Sequence, residues 1–325
     1  MSVLVRRLFP ALFLSHLIVA SAVADQALDQ GDALTLLQRI ATAARELNFR
    51  GAFVYQHGEQ AESSRITHMV ERGAEYEKLE TLDGPRREVI RTNSEIITFY
   101  AEKNEVKRER RTARKLFPAL LPEQLGVLTE FYKLSKGGQE RIAGHMAQEL
   151  ILAPKDEYRY GHRLWAEVQS GLLLKAKMVR DNAQVMEQFH FTDVQINVPF
   201  SREAVKPSFP LPPGVATGDL NAPPAVDTGW VVRSQPAGFR KIMEMLRVKQ
   251  SGGQVVHLVF SDGLAAVSVF IEPMPTSRTI VPGLSHQGAV SIYTRPMSDQ
   301  LVTVLGETPP VTVMQIANSV TPKSR

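Results

Sequence analysis

Apolar residues in the early part of the chain recur at intervals of three and four. This spacing predicts an amphipathic α-helix, whose apolar face consists of Leu34, Leu37, Ile40, Ala44 and Leu47. The pattern stops at Asn48. Asp32 is the predicted N-cap, because its carboxylate can accept hydrogen bonds from the first free backbone amides of a helix.

Beyond Asn48, apolar and polar positions alternate, which is the period of a β-strand. The first such segments are GAFVYQH, SRITHMVE, YEKLETL, RREVIRT and EIITFYAE. The alternation returns in QERIAGHMAQELILAP, YRYGHRLWAEVQS, LLLKAKMVRD and AQVMEQFHFTDVQIN. Short strands at roughly 8–12-residue spacing are typical of an antiparallel meander. Between the two groups, Pro122 suits the first turn of a short predicted helix that ends near Phe131.

Residues 199–224 differ in composition from the segments before them. They contain seven of the chain's 20 prolines, which is typical of an extended, semi-rigid linker. The sequence therefore predicts a large domain over 25–198, a linker over 199–228 and a small domain over 229–325. The predicted fold class is α+β and mainly β.

The small domain repeats the strand pattern and closes with a helix. Its predicted strands lie near Lys241–Val248, Gln254–Ser261, Leu264–Met274, Gly288–Thr294 and Gln300–Gly306. Thr308 is the predicted N-cap of a last helix that runs through Val320, because two prolines that suit a first helical turn follow it. This pattern predicts an antiparallel sheet with one helix.

The stretch SDGLAAVSVFIEP raises the question of a hydrolase site, since a histidine lies just before its Ser and Asp. Asp-Gly favours a two-residue type I′ turn, which would pair Ser261 with Leu264 and place His257 opposite Ser268. No acid in this hairpin is placed to orient the histidine. We therefore interpret the pair as structural. The predicted apolar face comprises Val256, Leu258, Phe260, Ala265, Val267, Val269 and Ile271.

The first 24 residues have the layout of a secretory signal peptide. Arg6 and Arg7 precede an apolar run from Leu8 to Ala20, and Ala22 and Ala24 form a small-residue cleavage site. The apolar run is shorter than the roughly 20 residues that a membrane-spanning helix needs. We therefore expect export and removal of residues 1–24.

The composition removes several classes of function. The chain of 325 residues has no cysteine, which excludes disulfides, thiolate metal sites and cysteine nucleophiles. Its mild net charge of +4 includes two leader arginines, and together with export it argues against nucleic acid as a partner. No dinucleotide-binding, phosphate-loop or zinc-protease motif occurs. We expect no enzyme activity, no cofactor and no metal site.

Two weaker patterns do not change this expectation. The stretch GLSHQG from Gly283 to Gly288 is one residue too long for a nucleophile elbow, and no strong strand precedes it. His57 and His68 could face each other across a hairpin, but two histidines without a third ligand make a poor metal site. A hydrolase that uses Ser268 or Ser285 is the least favoured hypothesis.

Two sets of residues are candidates for binding. Basic residues crowd between Lys107 and Lys115. A solvated strand face explains such a run, and an anion-binding rim for lipid phosphates or partner carboxylates is the alternative. The candidates for this rim are Arg86, Arg87, Arg108, Arg110 and Arg111. The candidates for an apolar lipid groove in a half-rolled sheet, or alternatively for the core beneath the helices, are Phe53, Tyr55, Phe99, Leu172, Leu174, Phe189 and Phe191.

Several stretches resemble the RseB/MucB family. In the large domain these are GAFVYQH at 51–57, LDGPRREVIR at 82–91, YRYGHRLWAEVQSGLLLKA at 158–176 and FTDVQIN at 191–197. In the small domain they are PAGF at 236–239, FSDGLAAVSVFIEP at 260–273 and LVTVLGETP at 301–309. Their order and spacing together carry the resemblance, which covers nearly the whole mature chain. Residues 166–171 depart from it, since family members more often have an Asp and a Thr-Gly turn there.

The resemblance implies a large half-open antiparallel barrel similar to the lipoprotein carriers LolA and LolB, followed by a small domain in which a sheet packs against a helix. It implies a periplasmic protein that binds the periplasmic part of a membrane anti-sigma factor, RseA or MucA, and shields it from regulatory proteolysis. Lipopolysaccharide or the acyl chains of mislocalised lipoprotein would release it. A lipid carrier without a regulatory partner is the alternative hypothesis. Whether the protein forms a homodimer is left open.

Overall fold

The computed structural model describes residues 17–110, 121, 125–180, 183–209, 226–248, 252–274 and 281–323, with side chains from residue 31 onward except that of residue 110. The described chain is mainly β. Its three α-helices are α1 Leu17–Glu46, α2 Leu128–Phe131 and α3 Pro310–Asn318. Of the helices in the described part, none is both long and apolar enough to cross a membrane.

The large domain is built on one sheet of eleven strands. The strands are β1 Phe49–His57, β2 Gln60–Glu71, β3 Ala74–Thr81, β4 Arg87–Thr92, β5 Glu95–Tyr100, β6 Glu105–Arg110, β7 Tyr132–Ile142, β8 His145–Pro154, β9 Gly161–Glu167, β10 Leu173–Val179 and β11 Val185–Ile196. Their order is β6-β5-β4-β3-β2-β1-β11-β10-β9-β8-β7, and every neighbouring pair is antiparallel. The sheet is half-open, which confirms the predicted fold class.

Helix α1 fills the curve of this sheet. Ala33, Leu37 and Ile40 are fully buried and pack in one apolar cluster with residues of the sheet, as the helical spacing predicts. Asp32 is not the N-cap, because the helix begins at Leu17 and Asp32 lies within it. Residues 1–16 of the predicted signal peptide lie outside the described residues, and the predicted cleavage site falls within the first turns of α1.

The predicted short helix before β7 is present at its C-terminal end. A 3-10 turn over Leu125–Val127 leads directly into α2, while Pro122 lies outside the described residues. Leu128 is fully buried and joins the core of the large domain. This turn of helix therefore anchors the chain as it enters β7.

The first part of the predicted linker packs against the sheet instead of bridging the domains. Arg202 lies in a 3-10 turn and donates to Glu71 over 2.7 Å. Ser208 accepts a hydrogen bond from the buried Lys78 amine over 2.6 Å. The same amine forms an ion pair with the buried Glu88 carboxylate over 2.6 Å. A buried charged pair needs additional polar partners, which gives a physical reason for the segment to be held there. Residues 210–225 lie outside the described residues.

The small domain has a six-stranded sheet and a two-stranded ribbon. The strands are β12 Trp230–Val232, β13 Arg240–Val248, β14 Gln254–Ser261, β15 Ala266–Pro273, β16 Gly283–Gln287, β17 Val290–Met297, β18 Gln300–Gly306 and β19 Val320–Pro322. The six-stranded order is β13-β14-β15-β18-β17-β16, and β12 pairs with β19. The short strands β12, β16 and β19 were not expected from the alternation.

Helix α3 covers one face of the small sheet, with Val313, Ile316 and Ala317 fully buried. Its N-cap is Pro309, so the prediction of Thr308 as N-cap is wrong. Thr308 is itself fully buried. Val320 belongs to β19 and not to the helix.

The hairpin between β14 and β15 has a four-residue loop instead of the predicted two-residue turn. Ser261 pairs with Ala266, and the Asp262 carboxylate accepts hydrogen bonds from the backbone amides of Leu264 and Ala265 at 2.9 and 2.8 Å. The shift by two residues keeps the predicted apolar face, which lies in the core of the small domain. His257 opposes Phe270, and its Nε2 reaches Ser268 Oγ diagonally at 3.1 Å.

Candidate functional site

A fully buried arginine joins the two domains. Arg159 lies in the loop between β8 and β9, and its side chain has no exposed surface. Its Nε contacts Asp156 in the same loop at 3.0 Å. The two terminal nitrogens reach the small domain, where Nη1 lies 3.3 Å from Asp262 Oδ2 and Nη2 donates to the Ala237 carbonyl over 2.6 Å. The guanidinium group therefore binds both domains at once.

Aromatic rings from both domains enclose this guanidinium group. Its central carbon lies 4.6 Å from the ring centre of Phe131 and 5.4 Å from that of Phe239. The Tyr132 hydroxyl adds a further polar contact to this cluster, donating to Asp262 Oδ2 over 3.5 Å. Burial, and then the charge of Asp262, raise the pKa of Tyr132 well above its ordinary value. Cation–π contacts are strongest when the cation is desolvated, as it is here.

The sequence PAGF allows this close approach. Gly238 has a φ of +87°, a conformation that glycine adopts without strain. A Cβ atom at this position would lie 2.6 Å from the Phe131 ring. Only glycine therefore lets the small domain bring Ala237 and Phe239 to the buried arginine.

The domains also touch at points away from the arginine. The Thr312 hydroxyl in α3 donates to the Tyr158 carbonyl over 2.6 Å. Ala289 is buried in one apolar cluster with Tyr160 and Met178 of the large domain. The two domains are therefore in direct contact over several elements, and the space between them is shaped by both.

Two concave regions lie along this junction. A cleft of about 620 Å³ is lined by Tyr160, Arg163 and Arg180 from the large domain and by His286 and Pro310 from the small one. A smaller cavity of about 160 Å³ has mainly apolar walls. The residues that line this smaller cavity, called here the junction cavity, are Tyr55, Leu121, Leu152, His162, Leu164, Ala176, Lys177, Met178, Glu187, Gln188, Phe189, Leu264 and Glu307.

Two carboxylates face the junction cavity, one from each domain. Burial raises the pKa of Glu187, although a hydrogen bond with Tyr55 and the charge of His57 act in the opposite sense. Burial, and then the charge of Glu187, raise the pKa of Glu307. Burial and the nearby Glu187 also raise the pKa of the Tyr55 phenol. The site therefore disfavours negative charge.

The predicted groove residues do not gather in one open groove. Tyr55, 38% exposed, and Phe189 line the junction cavity. Phe53, Phe191, Leu172 and Leu174, together with Phe189, belong to the core beneath α1. Phe99 lies in a separate cluster with Ile90, Ile97 and Phe209. The lipid groove stays a prediction.

The predicted basic rim is partly occupied by ion pairs. Arg87 Nη2 lies 2.8 Å from Glu62 Oε1, and Arg108 Nε lies 2.6 Å from Glu95 Oε2. Arg86 stacks over Phe209, with 5.2 Å between the guanidinium carbon and the ring centre. Arg110 ends β6, but its side chain and the whole of Arg111 lie outside the described residues. Arg86 and Arg87 remain together at a surface pocket of about 340 Å³ that also includes Tyr100 and Lys103.

The two histidines that the sequence placed across a hairpin are far apart in register. His57 pairs with Gln60 and His68 with Phe49, so that prediction is wrong. The segment over Gly283–Gln287 is strand β16, which has no elbow at Ser285. No cluster of metal-ligand side chains occurs in the part of the chain that the structure describes.

Sequence reasoning missed the buried arginine and its aspartate. Both lie inside quoted motifs, YRYGHRLW and FSDGLAAV, but nothing in the local pattern connects positions 103 residues apart. An arginine between two tyrosines, Tyr158 and Tyr160, was the one available signal, since an Arg in an aromatic setting is a common buried contact.

Comparison with known proteins covers both domains. Residues 32–209 match the model of the MucB/RseB N-terminal domain, and residues 224–321 match that of the C-terminal domain. The Sigma factor AlgU regulatory protein MucB of Pseudomonas aeruginosa is 29% identical over 95% of this chain and 96% of its own length. The Sigma-E factor regulatory protein RseB of Escherichia coli K12 is 23% identical over 88% of this chain and 89% of its own.

Solved structures agree with this similarity. The complex structure of Pseudomonas aeruginosa MucA/MucB contains a chain that matches with a TM-score of 0.73 and 29% identity, over 90% of this chain and 100% of that one. MucB in complex with MucA(peri) matches with a TM-score of 0.72 and 28% identity, over 91% and 100% of the two chains.

Proposed function

The chain belongs to the MucB/RseB family of regulatory proteins, which are not enzymes, and we propose that it regulates an envelope-stress sigma factor by binding an anti-sigma factor. The partner would be the periplasmic segment of a membrane-bound anti-sigma factor of the RseA/MucA kind. The observation that carries this proposal is the likeness, through both domains, to MucB in complex with MucA(peri).

The leader sequence supports a periplasmic location for the mature protein. Arg6 and Arg7 followed by an apolar run have the layout of an export signal. Export would place the protein on the same side of the membrane as the periplasmic segment of its partner. The chain would then act by covering that segment, so that the regulatory protease cannot reach its cleavage site.

The packed junction between the domains suits such a role. Because Arg159 holds the large and small domains together, a segment bound along the cleft would meet one surface built from both. A flexible pair of domains would lose more entropy on binding the same segment. The partner is therefore expected to require the whole chain and not one domain alone.

We propose that lipid releases the partner through the large domain. The head group would bind at the pocket with Arg86, Arg87 and Lys103, where arginines can hold phosphate oxygens. Most of the apolar groove candidates lie beneath α1, so an acyl chain reaches them only when α1 moves. Burial of an acyl chain contributes about 0.8 kcal/mol per methylene, which makes such a rearrangement energetically accessible.

The test is a titration of the mature chain with the anti-sigma periplasmic segment, repeated in the presence of lipid A fragments. Lipid binding and partner binding are coupled free energies, so each must weaken the other by the same factor. An affinity for the segment that lipid leaves unchanged contradicts the sensing role. A protein that retains lipoprotein from periplasm but no anti-sigma fragment would instead be a lipid carrier.

A further inference from the structure

The junction cavity combines apolar walls with the size of one side chain. Leu164, Met178 and Phe189 line it from the large domain, and Leu264 lines it from the small domain. Its volume of about 160 Å³ is close to that of the roughly 150 Å³ engineered apolar cavity that binds benzene. A single side chain fits such a volume, whereas a lipid does not.

The charged groups at this cavity include two carboxylates, one from each domain. In the described residues, neither Glu187 nor Glu307 forms an ion pair. The Tyr55 hydroxyl hydrogen-bonds to Glu187, but a neutral phenol supplies no compensating charge. Two carboxylates from two domains therefore converge on an apolar space, where burial disfavours their charged forms.

The other titratable groups around the cavity, besides Tyr55, are one lysine and two histidines. Lys177 is part of the wall, but its amine lies over the Trp165 ring, 5.6 Å from the centre. This fits strand alternation, since the neighbouring Ala176 and Met178 line the cavity. His57 lies near Glu187, and His162 forms part of the wall.

We propose that the junction cavity receives one lysine or arginine side chain of a bound peptide. The aliphatic stem would pack against the apolar walls, and the cationic tip would lie between Glu187 and Glu307. An anionic tip would meet two carboxylates, and a purely apolar side chain would bury them further without balancing their charge. A cation forms charge-assisted hydrogen bonds with both.

The identity of the peptide rests on the proposed function, since the chain that would carry the basic residue is the anti-sigma periplasmic segment. The preference of the cavity for an apolar stem with a cationic tip does not rest on it. The two parts can therefore fail separately, and the experiment uses a small probe before the peptide.

The probe experiment compares three six-carbon molecules that differ in their end group. n-Hexylammonium, 1-hexanol and hexanoate are titrated into the full mature chain, and the methyl NMR signals of Leu164, Leu264 and Met178 are followed. Hexylammonium is expected to bind at least about tenfold more tightly than hexanol, because a hydrogen bond to a charged group is worth about 1.5–3 kcal/mol. Hexanoate is expected to leave the signals unchanged.

Three variants locate the effect. Glu187→Gln combined with Glu307→Gln keeps the shape of the cavity and should bring the affinities for hexylammonium and hexanol to the same value. Ala176→Met fills the space and should abolish binding of both. Glu203→Gln, whose side chain is 73% exposed on a 3-10 turn, is the matched control and should behave as the wild type.

Equal affinity for hexylammonium and hexanol in the wild type would overturn the proposal, as would cation selectivity that survives in the double variant. Saturating hexylammonium should also weaken binding of the anti-sigma segment. A cation-selective cavity that leaves segment binding unchanged overturns the choice of occupant. If the anti-sigma segment does not bind at all but the cavity still selects hexylammonium, the proposed function is wrong and the proposed cation preference of the cavity stands.

Discussion

Two polar clusters cross the junction between the domains, and they differ in how their charge is balanced. Arg159 is fully buried, and its guanidinium group contacts two aspartates, a backbone carbonyl and the faces of aromatic rings. Glu187 and Glu307 line an apolar cavity at the same junction, without an ion pair in the described residues. The first cluster pairs its cation with carboxylates, whereas among the described residues neither carboxylate of the second forms an ion pair.

This difference separates a structural joint from a candidate binding site. A buried charge whose contacts are all satisfied contributes specificity of packing, and removing one member leaves the other uncompensated. A buried charge without its counter-ion favours any ligand that supplies one. The arginine cluster therefore fixes how the domains meet. The glutamate cluster, Glu187 and Glu307, is the candidate site for a cationic ligand.

The largest effect is expected from Arg159→Ala. The substitution removes three polar contacts and leaves Asp262, whose side chain is fully buried, without its cation, so the free energy of unfolding should fall by about 3–5 kcal/mol. Urea denaturation measures the change. Arg202→Ala is the matched control, because its ion pair with Glu71 is exposed to solvent and exposed pairs contribute little to stability. Equal losses in the two variants would show that the buried arginine is not a joint.

The second effect concerns the approach of the small domain to Phe131. Gly238→Ala introduces a Cβ atom 2.6 Å from that ring at a φ of +87°, which combines overpacking with backbone strain of about 1–3 kcal/mol each. Gly253→Ala has nearly the same φ, +88°, with nothing within 4 Å of the added atom. Gly238→Ala should therefore destabilise the protein more than this control in urea denaturation. A matching loss would mean that the steric contact is unimportant.

The smallest effect is a pH dependence that belongs to the glutamate cluster. The pKa values of Glu187 and Glu307 are raised in the folded protein, so their contribution to stability is present below the unfolded pKa and is lost as pH rises through the folded pKa. Tyr55 and His162 line the same cavity, and His57 lies near Glu187. The Glu187→Gln and Glu307→Gln double variant should lose less stability than the wild type when the pH is raised from 5 to 7.5.

The pH dependence of the free energy of unfolding must be compared as a difference between the double variant and the wild type, because His257 changes stability with pH in the opposite direction. Burial lowers the pKa of His257 to about 4, so its contribution to stability is present above the unfolded value and is lost as pH falls toward 4. His257 is common to both proteins and cancels in the difference. A wild type and double variant with the same pH profile would contradict the role given to the glutamates.

Periodic segments were predictable from the sequence because their residues contact near neighbours. The apolar spacing from Leu34 to Leu47 and the strand alternation both lead to buried faces in the structure. The boundaries and caps were less predictable. Asp32 lies inside α1, since residues before it continue the helix, and Thr308 is buried one residue before Pro309 takes the cap position.

The candidate site was harder to predict from the sequence, because it depends on contacts between positions that are far apart in the chain. Asp262 was assigned to a tight turn on local preference, but its Oδ1 holds the loop backbone while its Oδ2 faces Arg159 of the other domain. The groove candidates were selected for their apolar or aromatic side chains in strand-like segments, and only the structure separates Phe53 in the core from Tyr55 at the cavity and Phe99 in another cluster.

The central claim is that this chain binds the periplasmic segment of an anti-sigma factor through a surface made by both domains. Isothermal titration of the mature chain with that segment, from the same organism, tests it most directly. Saturable binding by the wild type that weakens strongly in Arg159→Ala, under conditions in which circular dichroism shows each domain still folded, is the predicted result. Absence of binding by the folded wild type, or binding that one isolated domain reproduces in full, would contradict the claim.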